Sequence, residues 1–560
     1  MDLGREAGRR RWLLLLVVYL IAAGYSVTHH ELWGDEIHSW NIAKASFGWR
    51  ELVANTRYEG HPPAWYVILS AISRFTHRLG YLQAAEWAIA GGVVALALLV
   101  APFPPVVKAL LPFGYYFWFE YGTLARNYAL GILLIFGACA VLLGRPFRGR
   151  TVVYYGLLFL ASNTHLLALL LAGSLHLGGL LRVPVRGAGA RRGFVVVQLL
   201  IGGLVLLPAA WFIFPPADSG MNAGFWLRSW QAAHQLGTVV RAPLRAFLPI
   251  PAWWRHDFWN TESLIELGER HGAVRLLIPL ASLAFVVAAF ACLRPVRASL
   301  VVFGANLLAT CALAAAFPLT TARYTGFIYV GFLVAYWLRC HEASQRTPAT
   351  WIGGGRSVVG GGGQSVQVVQ GVPVLLVGLL LLQVAGGVFA VWRDARAEFS
   401  EGPRVGELIA EVPPGAELVT DVWTEDTVVA FTDHPLPCLG LDRPVAFLRW
   451  DTELEAITPT SYSMGLRRVF LRTGAAPVYL VSSQSTQTIF EIDRTADART
   501  ADARAADART ADARAADARA ADARTADAPF AFTLVDRRDG AIERWSNLYL
   551  YRVTARPRGH

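Results

Sequence analysis

Apolar runs of about 17 to 21 residues recur along this chain, each long enough to cross the roughly 30 Å hydrocarbon core of a bilayer as a helix. That repetition leaves little room for a water-soluble fold. A soluble protein carries about 25% charged residues, whereas this chain of 560 residues has 16% charged and 54% hydrophobic residues. The expected fold class is a polytopic α-helical membrane protein with about eleven transmembrane helices and a small C-terminal α/β domain. Candidate spans are 12–28, 63–79, 84–101, 127–143, 152–164, 166–181, 194–214, 273–292, 299–318, 324–339 and 372–391.

The net charge of +10 is nearly all arginine, since Lys44 and Lys108 are the only lysines. Most arginines sit in short loops beside spans, where positive residues set topology. That placement argues for a lipid bilayer as partner and against nucleic acid. With Arg9 to Arg11 cytoplasmic, strict alternation puts Arg145/Arg148/Arg150, Arg182/Arg186/Arg191/Arg192, Arg294/Arg297 and Arg339/Arg346 inside as well. The alternation requires 106–119, broken by Pro112 and Gly114, to be a re-entrant or interfacial hairpin rather than a full span. The N-terminus resembles a signal peptide but reads as an uncleaved first span of a plasma (inner) membrane protein. Cys139, Cys292, Cys311, Cys340 and Cys438 make neither a metal-ligand spacing nor a disulfide framework.

The expected domains are a membrane domain over 1–392 and a soluble extracytoplasmic α/β domain over 393–560. Within the first lie an external loop at 29–62, an external interfacial loop at 215–272 rich in Trp and Arg, including Trp226, Trp230, Trp253, Trp254 and Trp259, and a cytoplasmic Gly/Ser/Gln-rich linker at 340–371. In the second, Glu417–Thr420, Val478–Val481 and Tyr549–Val553 read as strands and Pro403–Ala410 as a helix. Residues 494–528 repeat a five-residue Ala/Asp/Arg unit with no large apolar residue and cannot build a core.

The same alternation places Asp35, Glu36, His61, Glu120, Arg126, His165 and Arg323 together at the external face. Charged groups near a bilayer are costly unless they have work or partners. The ordered series Trp33-Gly34-Asp35-Glu36, His61-Pro62-Pro63, Arg126-Asn127-Tyr128-Ala129-Leu130, His165 and Arg323-Tyr324 resembles the GT-C superfamily of membrane glycosyltransferases. Within it, the series is similar to the protein O-mannosyltransferase and lipid A aminoarabinose transferase branch (glycosyltransferase family 39-like). The likeness covers roughly residues 12 to 340 and rests on the ordered set, since DE or HPP alone is weak.

The resemblance implies transfer of a sugar from a polyprenyl-phosphate donor to an external acceptor. Such an inverting transfer needs a carboxylate to take the acceptor's proton. Asp35 matches the first acidic position of the family motif, with Glu36 as runner-up or as a partner orienting Asp35. Both would also suit a plain helix N-terminus. Arginine binds phosphate bidentately and keeps its charge, so Arg126 and Arg323 are phosphate candidates, although either could instead snorkel from a span end or pair with Glu120. His61, Glu120, Tyr128, His165 and Tyr324 complete the expected substrate-binding set. No cofactor is expected: His29, His30 and His38 with Asp35 can be drawn as metal ligands, but nothing in the resemblance supports a metal. The competing readings are a lipid or glycan transporter or flippase, and a non-catalytic scaffold of envelope assembly. The mannosyltransferases' β-trefoil insert has no counterpart here, which leaves the acceptor open.

Overall fold

The computed structural model describes all residues except 1, 183–187, 221–231, 318–320, 347–349, 353–354, 360–364, 367–373, 442, 475, 484–529, 544–545 and 556–560. Its membrane part opens with α1 (Asp2–His29), followed by three short helices, α2 (Gly34–Ala45), α3 (Trp49–Thr56) and α4 (Ala64–Ser73). Next comes α5 (Gly80–Ala95), extended by a wide turn to Val100. α5 runs antiparallel to α1: the Trp87 indole donates to Leu20 O at 2.9 Å and Gln83 donates to Val27 O at 2.7 Å. The chain therefore starts α5 on the face where α1 ended.

That geometry corrects one expected span. α4 has 10 residues, about 15 Å of helix, half of what a bilayer core demands. The loop after it stays on the same face, where His77 meets Asp433 of the C-terminal domain at 3.1 Å. Part of the apolar surface of 63–79 is covered by protein: Trp65 and Leu69 are buried with Ile37 and Trp40 of α2, Leu82 of α5 and Ala430.

A second correction offsets the first. α6 (Pro105–Leu110) leads through a tight turn, Leu111–Phe113, into a wide turn, Tyr116–Glu120. The path climbs α1 step by step. Lys108 lies over the Trp12 ring, Tyr19 donates to Phe117 O at 2.7 Å, and Trp118 donates to Ser26 Oγ at 2.9 Å. Residues 105–120 thus traverse the bundle as a broken segment and do not turn back as a hairpin. Pro112 and Gly114 interrupt the helix, and protein rather than lipid surrounds the break, with Gln383 packed on Gly114 and the Phe113 carbonyl on Gly387. One span is removed and one added, so the side on which every later loop emerges is unchanged.

The remaining helices alternate between the two faces: α7 (Asn127–Leu143), α8 (Arg150–Ser162), α9 (Leu166–Leu180) and α10 (Ala188–Ile213), then α13 (Gly272–Leu293), α14 (Arg297–Ala316), α15 (Ala322–Arg346) and α16 (Val374–Asp394). Between α10 and α13 lie α11 (Ala232–Phe247) and α12 (Ser263–Arg270). Six helices among the described residues are long and apolar enough to cross a membrane. Outward-facing Leu276, Leu280, Leu283 and Val287 on α13 recur at helical spacing and are well exposed, an apolar stripe that only lipid satisfies. The chain is an integral membrane protein.

The expected interfacial flap at 215–272 is a wedge in the described part. Phe247, at the end of α11, packs on Phe303 of α14 and Phe332 of α15, and its carbonyl accepts from Gln383 of α16 at 3.3 Å. The apolar face of α11 is covered by three spans and so does not need the lipid boundary; Trp226 and Trp230 lie outside the described residues. The expected linker at 340–371 is also more structured. α15 continues to Arg346, and β1 (Thr350–Ile352), β2 (Gly355–Val359) and β3 (Ser365–Val366) pair antiparallel.

After α16 the C-terminal domain forms α17 (Val405–Ala410), β4 (Glu417–Thr420), α18 (Glu425–Thr432), β5 (Pro437–Cys438), β6 (Arg443–Pro444), α19 (Thr452–Glu455), α20 (Pro459–Thr473), β7 (Val478–Ser482), β8 (Phe530–Arg538) and β9 (Leu548–Ala555). Its sheet order is β6-β5-β4-β7-β9-β8, with β4 parallel to β5 and β7, and β9 antiparallel to β7 and β8. Val419, Val478, Leu480 and Val553 are buried on one side beneath α20, whereas Tyr479, Val481 and Leu550 pack on the other against α17 and α18. The pentapeptide repeat 494–528 lies outside the described residues.

Candidate active site

α2 begins as soon as the chain leaves α1, and its first turn carries both carboxylates. Glu36 is fully buried. It reaches back to the Trp33 N–H at 3.0 Å, accepts from the Ala125 N–H, and meets His30 Nε2 at 3.1 Å. The other nitrogen of His30 faces Asp394 at the end of α16, 3.1 Å away. Burial works against a charge on His30, but Asp394 and Glu36 outweigh it and hold the ring's pKa well above the ordinary histidine value. Glu36 therefore staples α1, α2, α16 and the 121–126 loop together and does not line the open side of the site. Glu36→Gln should destabilise the fold by about 1–3 kcal/mol, the cost of loosening buried charged hydrogen bonds; a thermal melt in detergent checks this.

Asp35 faces the other way, and 38% of its side chain remains exposed. Arg323 Nη1, from the first turn of α15, donates to its Oδ2 at 3.0 Å. Arg126, in the turn that opens α7, approaches the same oxygen at 3.5 Å and also donates to the Asp35 carbonyl. Burial alone would raise the Asp35 pKa; Arg126 and Arg323, helped by His38, pull it below the usual carboxylate range. Both arginines keep a buried Nε without a partner.

Arg323 is caged by aromatic rings, with its guanidinium carbon 5.3 Å from the Trp33 ring, 5.7 Å from Trp259 and 5.1 Å from Tyr324. Trp33 and Trp259 meet edge to face at 4.7 Å. Glu120 sits beside them, accepting from Tyr115 at 2.9 Å and Trp259 at 3.3 Å through one oxygen, while its other oxygen has no partner.

His61 precedes the turn into α4, which is pinned to the end of α8 by Ala64 N–H donating to Asn163 O at 2.9 Å. Burial and the neighbouring Arg126 push the His61 pKa down to about 3, so its ring is neutral. His165 caps α9 by accepting from Ala168 N–H at 3.2 Å and stacks edge-on to Tyr128 at 4.9 Å; its Nε2 and the Tyr128 hydroxyl lack partners. Tyr128 and Tyr324 rings lie 6.3 Å apart. Elements from five parts of the chain thus bring Asp35, His61, Glu120, Arg126, Tyr128, His165, Arg323 and Tyr324 into one cluster rich in unsatisfied polar atoms. Buried polar groups are normally paired, so such a concentration fits a polar ligand.

The turn that presents Arg126 depends on Gly122. A Cβ there would collide with the Phe117 carbonyl and lie 2.7 Å from the Trp118 carbonyl. Gly122→Ala should shift Arg126 and cost about 1–3 kcal/mol of stability from overpacking; a thermal melt measures the loss.

Among the described residues, no group of three His, Cys, Asp or Glu side chains is arranged to hold a metal ion. The histidines of the first loop diverge: His29 stacks on Tyr25, His30 faces Glu36 and Asp394, and His38 faces Glu59 and Asp426. Sequence reasoning missed the partners His30, Glu59, Asp394 and Asp426, and read Trp259 as a boundary residue. Asp394, a carboxylate closing an apolar span, carried a usable signal, because a charge there calls for a partner.

No protein-family model matches the chain, and no curated protein matches it. Among solved structures it is similar to ArnT from Cupriavidus metallidurans bound to undecaprenyl phosphate, at 13% identity and a TM-score of 0.47, over 96% of this chain and 97% of that one. It is also similar to the same protein in the apo state, at 14% identity and a TM-score of 0.43, over the same shares.

Proposed function

We propose that this chain is a membrane glycosyltransferase that moves a sugar from a polyprenyl-phosphate donor to an envelope acceptor, with inversion at the anomeric carbon. The observation that carries the reading is the partly exposed Asp35 carboxylate held between Arg126 and Arg323. A carboxylate in contact with two guanidiniums places proton acceptor and anion binder within one sugar's reach.

In this reading the donor phosphate enters against Arg126 and Arg323, each of which has an Nε–H without a partner. It then competes with Asp35 for the remaining donors. As the guanidiniums turn to the phosphate, Asp35 loses the charges that depress its basicity and becomes the better base. The acceptor's hydroxyl or amine attacks the anomeric carbon while Asp35 takes its proton. The bond from that carbon to the phosphate oxygen breaks, and the lipid phosphate leaves with the bonding electrons, its charge received by the two arginines. Neutral His61, His165 and Tyr128 supply uncharged hydrogen-bonding groups that can hold sugar hydroxyls. In this reading the N-terminus is cytoplasmic and the Asp35 site and C-terminal domain are external, a topology supported by the arginine clusters beside the spans.

The test is the purified full-length protein in liposomes with a panel of labelled polyprenyl-phosphate sugars. One donor should be consumed, with release of polyprenyl phosphate even without acceptor, by slow hydrolysis. If every donor remains intact over hours, for wild type and Asp35→Asn alike, the proposal fails.

A further inference from the structure

The C-terminal domain does more than sit beside the Asp35 site: it grips the helix that carries Asp35. His38 lies three residues after Asp35, close to it on the helix surface. Its ring is held on both sides, Nδ1 at 2.8 Å from Asp426 Oδ2 of α18 and Nε2 at 2.8 Å from Glu59 Oε2, two residues before His61. The grip continues along α2 at the same spacing. Asn41 donates to the Asp426 carbonyl at 2.8 Å and to its carboxylate at 3.2 Å, and Lys44 meets Asp433 at 2.6 Å. Asp426 is itself fixed by the Leu448 N–H.

We propose that His38 is a positioning residue: clamped between Glu59 and Asp426, it locks the helix bearing Asp35 to the turn bearing His61 and makes sugar transfer depend on the docked C-terminal domain. This rests on the reading of Asp35 as the base. A neutral imidazole has one N–H and satisfies one carboxylate, leaving a lone pair against the other; only the doubly protonated ring donates to both. The titratable groups facing it are Glu59 and the neutral His61 from the turn before α4, Asp35 on its own helix, and Asp426 from α18. Burial disfavours the charged ring, but the two carboxylates outweigh it and set its pKa well above the ordinary value. The clamp is therefore complete below about pH 6.5, the ordinary histidine pKa, and is lost as pH rises through the raised value.

The experiment compares full-length wild type, Asp426→Asn and His38→Gln in liposomes across pH 6 to 10. It follows turnover of whichever labelled donor the wild type consumes, binding of undecaprenyl phosphate, and amide exchange over residues 34–45. Loss of register at a reacting centre costs about 100-fold in rate. We expect Asp426→Asn to lose turnover on that scale with phosphate affinity changed by less than about threefold, because Arg126 and Arg323 are untouched. The wild type should show an alkaline decline in turnover and in α2 protection that His38→Gln lacks. Turnover within threefold of wild type, equal losses in binding and turnover, or an alkaline decline retained in His38→Gln would overturn the proposal. If wild type consumes no donor, the assignment of function has failed, and the clamp is judged by amide exchange alone: pH-dependent protection of α2 in wild type but not in His38→Gln supports it, and identical profiles sink it.

Discussion

Asp35→Asn is expected to abolish turnover by about 10²–10⁴-fold, the usual worth of a positioned general base, while binding undecaprenyl phosphate no more weakly than wild type. The second half of that result is the discriminating one. Asp35 occupies donor groups of Arg126 and Arg323 that, under the proposed function, the lipid phosphate would use. Removing its charge removes a competitor whose hold is on the scale of an exposed-to-half-buried ion pair, roughly 1 kcal/mol, so the phosphate should bind up to about fivefold tighter. The Asn amide keeps the side chain's shape, so the fold is preserved. A transporter using the same cavity would keep moving its cargo with Asn at this position. Isothermal titration with undecaprenyl phosphate, beside a turnover assay, separates the outcomes; weaker binding together with lost turnover would point to Asp35 as a structural counter-ion. The depressed Asp35 pKa fixes the sign of its pH dependence. The ion-pair contribution is fully present above the ordinary carboxylate value and fades only as pH falls through the lower, folded-state value, so no acid limb from Asp35 should appear near neutrality.

Arg323→Met should do the reverse. A hydrogen bond to a charged group is worth about 1.5–3 kcal/mol, so undecaprenyl phosphate affinity should fall by roughly 10–150-fold. Arg323→Lys should recover only part of the loss, since an ammonium lacks the planar fork that grips a phosphate and also stacks among aromatic rings, here those of Trp33, Trp259 and Tyr324. In the double variant Asp35→Asn/Arg323→Met, the two effects on binding should not add, because each residue acts through the other. Simple additivity would show that they do not share one anion site.

Much of this arrangement was legible in the sequence, and the reasons it was partly illegible are physical. The strands at Glu417–Thr420 and Val478–Ser482 are short apolar runs bounded by polar turns, and their pattern suffices. The convergence of Asp35, Arg126 and Arg323 followed from side alternation, which depends only on whether the number of crossings before each loop is odd or even. The runs at 63–79 and 106–119 were assigned the wrong way round. Hydropathy registers burial without saying whether protein or lipid does the burying, and a proline with a glycine looks like a stop even where neighbours satisfy the freed backbone. Pairings such as His38 with Asp426, 388 residues apart, leave no local trace at all.

The order in which these partners are synthesised has a consequence for a truncated chain. Asp35 emerges from the ribosome early, one guanidinium follows after about ninety residues and the second after nearly three hundred, and the brace on its helix arrives only with the final domain. If the proposed function holds, a chain that lacks residues 426–433 carries Asp35 on an unbraced helix and should turn over no donor.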